Sequence, residues 1–366
     1  MYNERGMSQP PLVVSVVGNR PQFVKLAPVS RALRGSLREA IVHTEQHYDP
    51  SMAGVFFGDL SIPAPDHLLG VRSGSHAEQT ARTLLALEPL LVQLSPAAVL
   101  VFGDTNATLA ATIAAVKLHL PVVHVEAGPR LYDGFASPEE ANRVATDHLS
   151  TLLLAPTEHA AANLAREGLG DRTVMTGDPM YDVYLASLPQ AEATRPWEAL
   201  DLPRGDYVLL TLHRPANVDD PAQLATLVRA VRAGGLPVIF PVHPRTRRVA
   251  EAAGIALERQ AGFFPIEPVG YLAMVALERS AEVVVTDSGG VQKEAFFSEV
   301  PCINLANRSA WPETVEAGWN VAIGHDPGRI TEAIRSFRPR GAQPRLFGEG
   351  HAADAIAEAI RHLVAG

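Results

Sequence analysis

The 366-residue chain has a single cysteine, Cys302, which excludes an intramolecular disulfide framework and any cysteine-based zinc site. That usage suits a reducing cytosol. Lysine is almost as scarce: of 31 cationic side chains only Lys25, Lys117 and Lys293 are lysine. No apolar run approaches the ~18–20 residues of a transmembrane helix. The opening residues 1–7 carry no hydrophobic signal-peptide core, so a cytoplasmic protein without membrane insertion is expected. A basic excess is missing too, and the net charge of −9 argues against nucleic acid as a partner. The 28 glycines and 29 prolines are too few for a low-complexity chain. What is present is 47% apolar residues, enough for two buried cores at ~100–200 residues per domain.

Short β-branched runs alternate with alanine-rich amphipathic stretches, the pattern of βαβ units and a parallel sheet. In the first half the spacing predicts strands at 12–17, 40–43, 98–101, 122–125 and 152–155, with helices at 23–34, 77–94, 107–118, 139–149 and 158–167. The pattern restarts with strands at 207–211, 237–241, 283–286 and 302–305 and helices at 221–233, 246–253, 271–279 and 291–298. Residues 185–206, rich in Ala, Pro and charge, read as the linker region. The fold class expected is α/β: two Rossmann-like, doubly wound parallel-sheet domains facing a cleft. The expected boundaries are 1–184 and 185–350, and 351–366 is expected to form one more amphipathic helix. Ligands of such sheets bind beyond the carboxyl ends of the strands.

The loops at those ends are loaded with chemistry. After the first strand, Gly18-Asn-Arg-Pro-Gln-Phe-Val-Lys25 puts Arg20 and Lys25 at a helix start, as an anion site or a solvated basic helix end. It is not the three-glycine dinucleotide fingerprint, so no nicotinamide cofactor is expected. Asp104, in Gly103-Asp-Thr-Asn106, is a helix N-cap or a reactive carboxylate. Glu126 ends another strand, and Glu139 opens the helix that carries Arg143. Asp104, Glu126 and Glu139 converging on one sheet edge would suit acid–base chemistry, because burial can hold one carboxyl protonated while another stays ionised. In the second half, Asp287-Ser288-Gly289-Gly290 joins a strand to a helix, and its exposed N–H groups would make a phosphate cradle. Glu294, one turn further on, would suit a ribose diol. His213-Arg214 and His243-Pro-Arg245 add donors fit for a diphosphate. No His/Asp cluster has metal spacing, so no metal is expected.

Taken in order, Gly18-Asn-Arg-Pro21, Thr44-Glu-Gln-His-Tyr-Asp49, Gly103-Asp-Thr-Asn106, His124-Val-Glu-Ala-Gly128, Pro138-Glu-Glu-Ala-Asn-Arg143, His213-Arg214, Asp287-Ser-Gly-Gly290 and Phe347-Gly-Glu-Gly350 resemble the non-hydrolysing UDP-N-acetylglucosamine 2-epimerases. Residues 177–182, 241–246 and 316–320 are most similar to the branch that includes 2-epimerases of UDP-2,3-diacetamido sugar acids.

The resemblance implies the glycosyltransferase-B architecture, with the final helix crossing back to the first domain. It implies interconversion of UDP-GlcNAc and UDP-ManNAc or close relatives, a UDP-sugar as the partner ligand, no cofactor, and a homodimer. In the family scheme UDP leaves by anti elimination to a 2-acetamidoglucal and re-adds after protonation of C2 from the other face. Carried over by motif, Asp104, Glu126 and Glu139 transfer protons at C2 and His213 completes the catalytic set. Arg20, Lys25, Arg143, Arg214, His243, Ser288, Gly289, Gly290 and Glu294 bind the nucleotide or its leaving phosphate. Several positions depart from the pattern: Asn19 and Gln22 replace Thr and Glu, Ala216 replaces a carboxylate, residues 306–310 lose an Arg and a Glu, and Glu45 replaces Gly beside Gln46-His47, a motif associated with regulation. Two alternatives stay open: a glycosyltransferase of the same architecture and, prompted by Ala216 and residues 306–310, a non-catalytic UDP-sugar sensor.

Overall fold

The structure is a computed structural model that describes residues 9–45, 62–135 and 137–365, the side chain of Arg20 excepted. The chain folds as two compact units, Met1–Val183 with Phe347–Gly366, and Tyr184–Leu346. Among the described residues no helix is long and apolar enough to cross a membrane.

The first unit is built on β1 (Leu12–Val17), β2 (Arg38–His43), β3 (His67–Leu68), β4 (Ala98–Phe102), β5 (Val122–Val125), β6 (Leu152–Ala155) and β7 (Thr173–Met175). They form one parallel sheet in the order β3-β2-β1-β4-β5-β6-β7. The central strands are apolar on both faces because helices cover both, so β4 and β5 are buried along their whole length. The helices are α1 (Arg20–Leu33), α2 (His76–Leu94), α3 (Asn106–Lys117), α4 (Pro138–Leu149) and α5 (Glu158–Arg166). A polar cap opens each at the strand end that feeds it. Asn19 and Gln22 form a reciprocal capping box on α1, Thr105 caps α3, and Ser137 caps α4. Thr105, not Asp104, is therefore the α3 cap, which leaves the Asp104 carboxylate for another role.

Of the residues expected to form a linker, 185–194 continue α6 (Pro179–Thr194), and 195–206 hold a short 3-10 turn at Glu198–Leu200 and are otherwise irregular. Buried Tyr184 and Ala191 stabilise that helix despite Pro189 within it.

The second unit repeats the plan with β8 (Val208–Thr211), β9 (Val238–Pro241), β10 (Phe263–Ile266), β11 (Val283–Thr286), β12 (Cys302–Asn304) and β13 (Asn320–Ala322), in the order β10-β9-β8-β11-β12-β13. Its helices are α7 (Pro215–Val218), α8 (Pro221–Arg232), α9 (Pro244–Ala252), α10 (Tyr271–Arg279), α11 (Gly289–Phe297), α12 (Pro312–Glu316) and α13 (Pro327–Ser336). The last helix, α14 (Ala352–Ala365), returns to the first unit and packs on α1. Asp182 anchors its start by accepting the Ala352 and Ala353 N–H groups at 3.1 and 2.7 Å.

In each sheet the strand order reverses once, between β1 and β4 and between β8 and β11. Loops diverge at such a switch point and leave room for a ligand. Nearly every expected site residue lies beyond the end of one of these strands or of its immediate neighbour.

Candidate active site

At the first switch point two carboxylates stand at the ends of adjacent strands, each held by a buried cation. Glu126, just past β5, is bonded to the Lys25 ammonium at 2.7 Å, and both are almost fully buried. Glu126 has φ +68°, a left-handed backbone that costs a non-glycine residue roughly 1–3 kcal/mol and persists where the surroundings enforce it. Gly103 packs against this pair: a Cβ there would lie 3.2 Å from Lys25 Nζ, and its φ is +60°. Asp104 follows, half-buried, with its carboxylate on the Arg143 guanidinium. Arg143 also bonds Glu140 at 2.7 Å. Burial alone would lower the Arg143 pKa, but the surrounding carboxylates of Asp104, Glu140 and Glu126 raise it above its ordinary value.

Lys25 and Arg143, expected to bind nucleotide, thus serve here as counter-charges to the carboxylates. Glu139, expected beside Asp104 and Glu126, is exposed on the first turn of α4, and its neighbour Glu140 occupies the buried cluster. Glu140 also accepts the Leu131 and Tyr132 N–H groups. Glu139 does share a helix face with Asn142 and Arg143, at spacings of three and four residues. Arg20 opens α1 at the same sheet end, and its side chain is outside what is described. Gln46 and His47 lie outside the described residues.

The scaffold under this cluster leaves little trace in the sequence. Gln22 accepts the Gly18 N–H at 2.7 Å and donates to the Phe102 carbonyl at 2.7 Å and the Thr108 hydroxyl at 2.9 Å, tying the loop after β1 to the loop after β4. Asn142 donates to the Asp104 carbonyl at 3.0 Å. The available signal was polarity on the inner face of α4, where Asn142, Arg143 and Asp147 are all buried.

At the second switch point the central group is Asp287, fully buried at the end of β11. It accepts the backbone N–H groups of His213 and Arg214, the Asn217 amide and His213 Nδ1, the last at 2.9 Å. Burial would push its pKa up, but His213 and these donors hold it below the usual carboxylate value. His213 is thereby fixed with Nδ1 on Asp287, leaving Nε2 for a ligand. Ser288 caps α11 by accepting from the Val291 N–H, and its own N–H is taken by the Thr286 hydroxyl at 2.9 Å. The donors left at this turn are the Gly289 and Gly290 N–H groups on the first turn of α11, where the helix dipole favours an anion. A Cβ on Gly289 would lie 3.9 Å from the Arg214 guanidinium. The His243 ring lies 5.5 Å from that of His213, tilted by 44°, and its Nδ1 accepts the Arg245 N–H as the α9 cap, so that nitrogen is not a phosphate donor. Glu294 is buried on α11, one turn into the helix. Among the described residues no cluster of His, Cys, Asp or Glu could hold a metal ion.

A family described as UDP-N-acetylglucosamine 2-epimerase matches residues 31–361. The chain belongs to this family. Relatives within it include a UDP-N-acetylglucosamine 2-epimerase homologue of Methanococcus maripaludis, 43% identical, with 96% of this chain and 99% of the relative covered. A UDP-2,3-diacetamido-2,3-dideoxy-D-glucuronate 2-epimerase of Pseudomonas aeruginosa is 41% identical at the same coverage. The crystal structure of the Methanocaldococcus jannaschii UDP-GlcNAc 2-epimerase in complex with UDP-GlcNAc and UDP superposes with a TM-score of 0.88 at 38% identity, covering 97% of this chain and all of that one. As a member of the epimerase family, the chain carries the two doubly wound sheets of the glycosyltransferase-B architecture.

Proposed function

We infer that this protein is an isomerase that interconverts a UDP-N-acetylhexosamine and its C2 epimer. The observation that carries this reading is the pair Asp104 and Glu126 at adjacent strand ends, each balanced by its own buried cation. A relative solved with UDP-GlcNAc and UDP supports the substrate class. The relative acting on a diacetamido glucuronate supports the same chemistry on a modified sugar.

C2 of an N-acetylhexosamine has no adjacent carbonyl to acidify its proton, so simple deprotonation and reprotonation is not a workable route. Loss of UDP from C1 with loss of the C2 proton gives a 2-acetamidoglucal. Re-addition of UDP with protonation of the other face then inverts C2. Asp104, Glu126 and Glu139 move protons at C2, which takes more than one group because two faces are involved. Exposure of Glu139 leaves it open to a ligand, whereas Glu140 is used up in structure. The departing UDP gains negative charge, which the Gly289 and Gly290 N–H groups, Arg214 and His213 are suited to stabilise. Glu294 takes a ribose hydroxyl. The working enzyme is a homodimer, a state that light scattering in solution checks directly.

Incubation with UDP-GlcNAc in deuterated water, followed at C1 and C2 by NMR, tests the reading. The expected outcome is the epimer with deuterium at C2. Sugar transfer to an acceptor with no epimer would make the protein a glycosyltransferase instead, and tight binding without exchange would make it a sensor. The diacetamido uronate, run in parallel, distinguishes a narrow substrate from an inactive protein.

A further inference from the structure

Behind the carboxylates lies a buried polar network that no step above uses. His124, in β5 two residues before Glu126, is fully buried, and so is Asp147 on α4. His124 Nδ1 lies 2.7 Å from Asp147 Oδ1, and Nε2 lies 2.7 Å from the Gly103 carbonyl oxygen. A carbonyl oxygen only accepts. Asp147 accepts as well: its second oxygen takes the Gly128 N–H at 3.2 Å and an Arg130 N–H at 2.7 Å. Burial works against an ionised Asp147, but His124 and Arg130 hold its pKa below the ordinary value. An acceptor against each ring nitrogen requires both nitrogens to carry a proton. A neutral ring would set a lone pair against an oxygen at 2.7 Å in a fully buried site.

We propose that His124 is a positioning residue, held by Asp147 as an imidazolium, which locks the Gly103 carbonyl and so aims the Asp104 carboxylate. The proposal rests on the epimerase reading for what the carboxylate acts upon. Gly103, at φ +60°, is a point where the chain could rotate freely, and its N–H is held by the Val125 carbonyl at 3.0 Å. With its carbonyl held by His124, the peptide leading into Asp104 has one orientation. Asp104 is then fixed at its own carbonyl by Asn142 and at its carboxylate by Arg143. The same Asp147 pins the Gly128 N–H, two residues beyond the left-handed Glu126. One His–Asp pair therefore ties together the two loops that carry the reacting carboxylates.

Charge in the network is matched. The ring faces Asp147 from α4 and the Gly103 carbonyl from the end of β4. Arg130 lies beyond Asp147 and reaches Glu167 at 2.7–2.8 Å, and His148 meets Glu167 at 3.2 Å. The Lys25–Glu126 pair borders Gly103 on its other side.

The test has two readouts. Protein labelled with 15N-histidine should show, at pH 7, one ring with both nitrogens protonated and slow to exchange, absent from the His124→Gln spectrum. A single neutral tautomer for His124 overturns the proposal, and if the variant does not fold, the wild-type ring is assigned through its nuclear Overhauser contacts to Gly103. In turnover, His124→Gln should lower kcat on the order of 10²-fold while KM changes by less than about threefold, the signature of lost orientation. An unchanged kcat, or an effect on KM alone, also overturns it. A wild-type enzyme without epimerase activity would sink the functional reading, whereas the ring spectrum would still decide this one.

Discussion

Single residues explain how some departures from the family pattern fit this chain. Gln22 stands where the pattern has Glu, and here it must both accept from the Gly18 N–H and donate to the Phe102 carbonyl. An ionised carboxylate only accepts, so the amide of Gln22 suits this loop scaffold where Glu would not. Asp287 is the counterpart in the second unit, a buried carboxylate serving four donors. Its native pKa is depressed, so the unfolded chain binds the proton more readily. The stability it contributes is fully present above the unfolded value near 4 and is lost as pH falls through the lower native value. Asp287→Asn should therefore cost about 2–4 kcal/mol at pH 7, where a buried charge network is broken. The gap to wild type should narrow below pH 4. Urea melts at pH 7 and pH 3.5 check this, and a gap that is constant with pH would remove the charge from the explanation.

At the scale of elements, legibility followed burial. Strands β1, β5, β6 and β11 begin and end where their apolar runs do, because both faces are covered and the composition has no reason to alternate. Strands β3, β7, β10 and β13 gave weaker signals: three have two or three residues, the apolar run of β10 is interrupted by Pro265, and all four are half-exposed along part of their length. The two carboxylates that open α4 show a different limit. Glu139 and Glu140 are chemically identical and adjacent, and the phase of one helix decides that the first is exposed and the second buried. No count of residue types carries that phase. The role of Asp182 was equally hidden, since its partners, Ala352 and Ala353, lie about 170 residues away along the chain. By capping α14 it fastens the returning helix to the first unit. Asp182→Ala should cost about 1–2 kcal/mol, the usual value of a lost N-cap. Hydrogen exchange should speed up first in residues 352–356, and uniform loss of protection across the chain would argue against a local cap.

For the whole molecule, a net charge of −9 has to be reconciled with a dianionic nucleotide. The resolution is placement. In the first unit the buried cations Lys25 and Arg143 are matched by carboxylates. In the second unit the N–H groups of Gly289 and Gly290 have no partner among the described residues, and Arg214 stands exposed beside them. Binding of UDP and chemistry at C2 should therefore separate by mutation. A ligand that binds only the folded state stabilises it by about 2.7 kcal/mol at a hundred times its Kd. Wild-type protein saturated with UDP should melt correspondingly higher. Asp104→Asn should keep that rise, yet lose turnover by on the order of 10²–10⁴-fold as a missing acid–base group does. Arg214→Met should lose much of the rise, because a guanidinium beside the phosphate site is removed without disturbing Asp287, which holds only the Arg214 backbone. Thermal melts with and without UDP, run beside the deuterium assay, measure both. If Asp104→Asn abolished the UDP-induced rise, or Arg214→Met left it whole, the division of work between carboxylates and anion donors would be wrong.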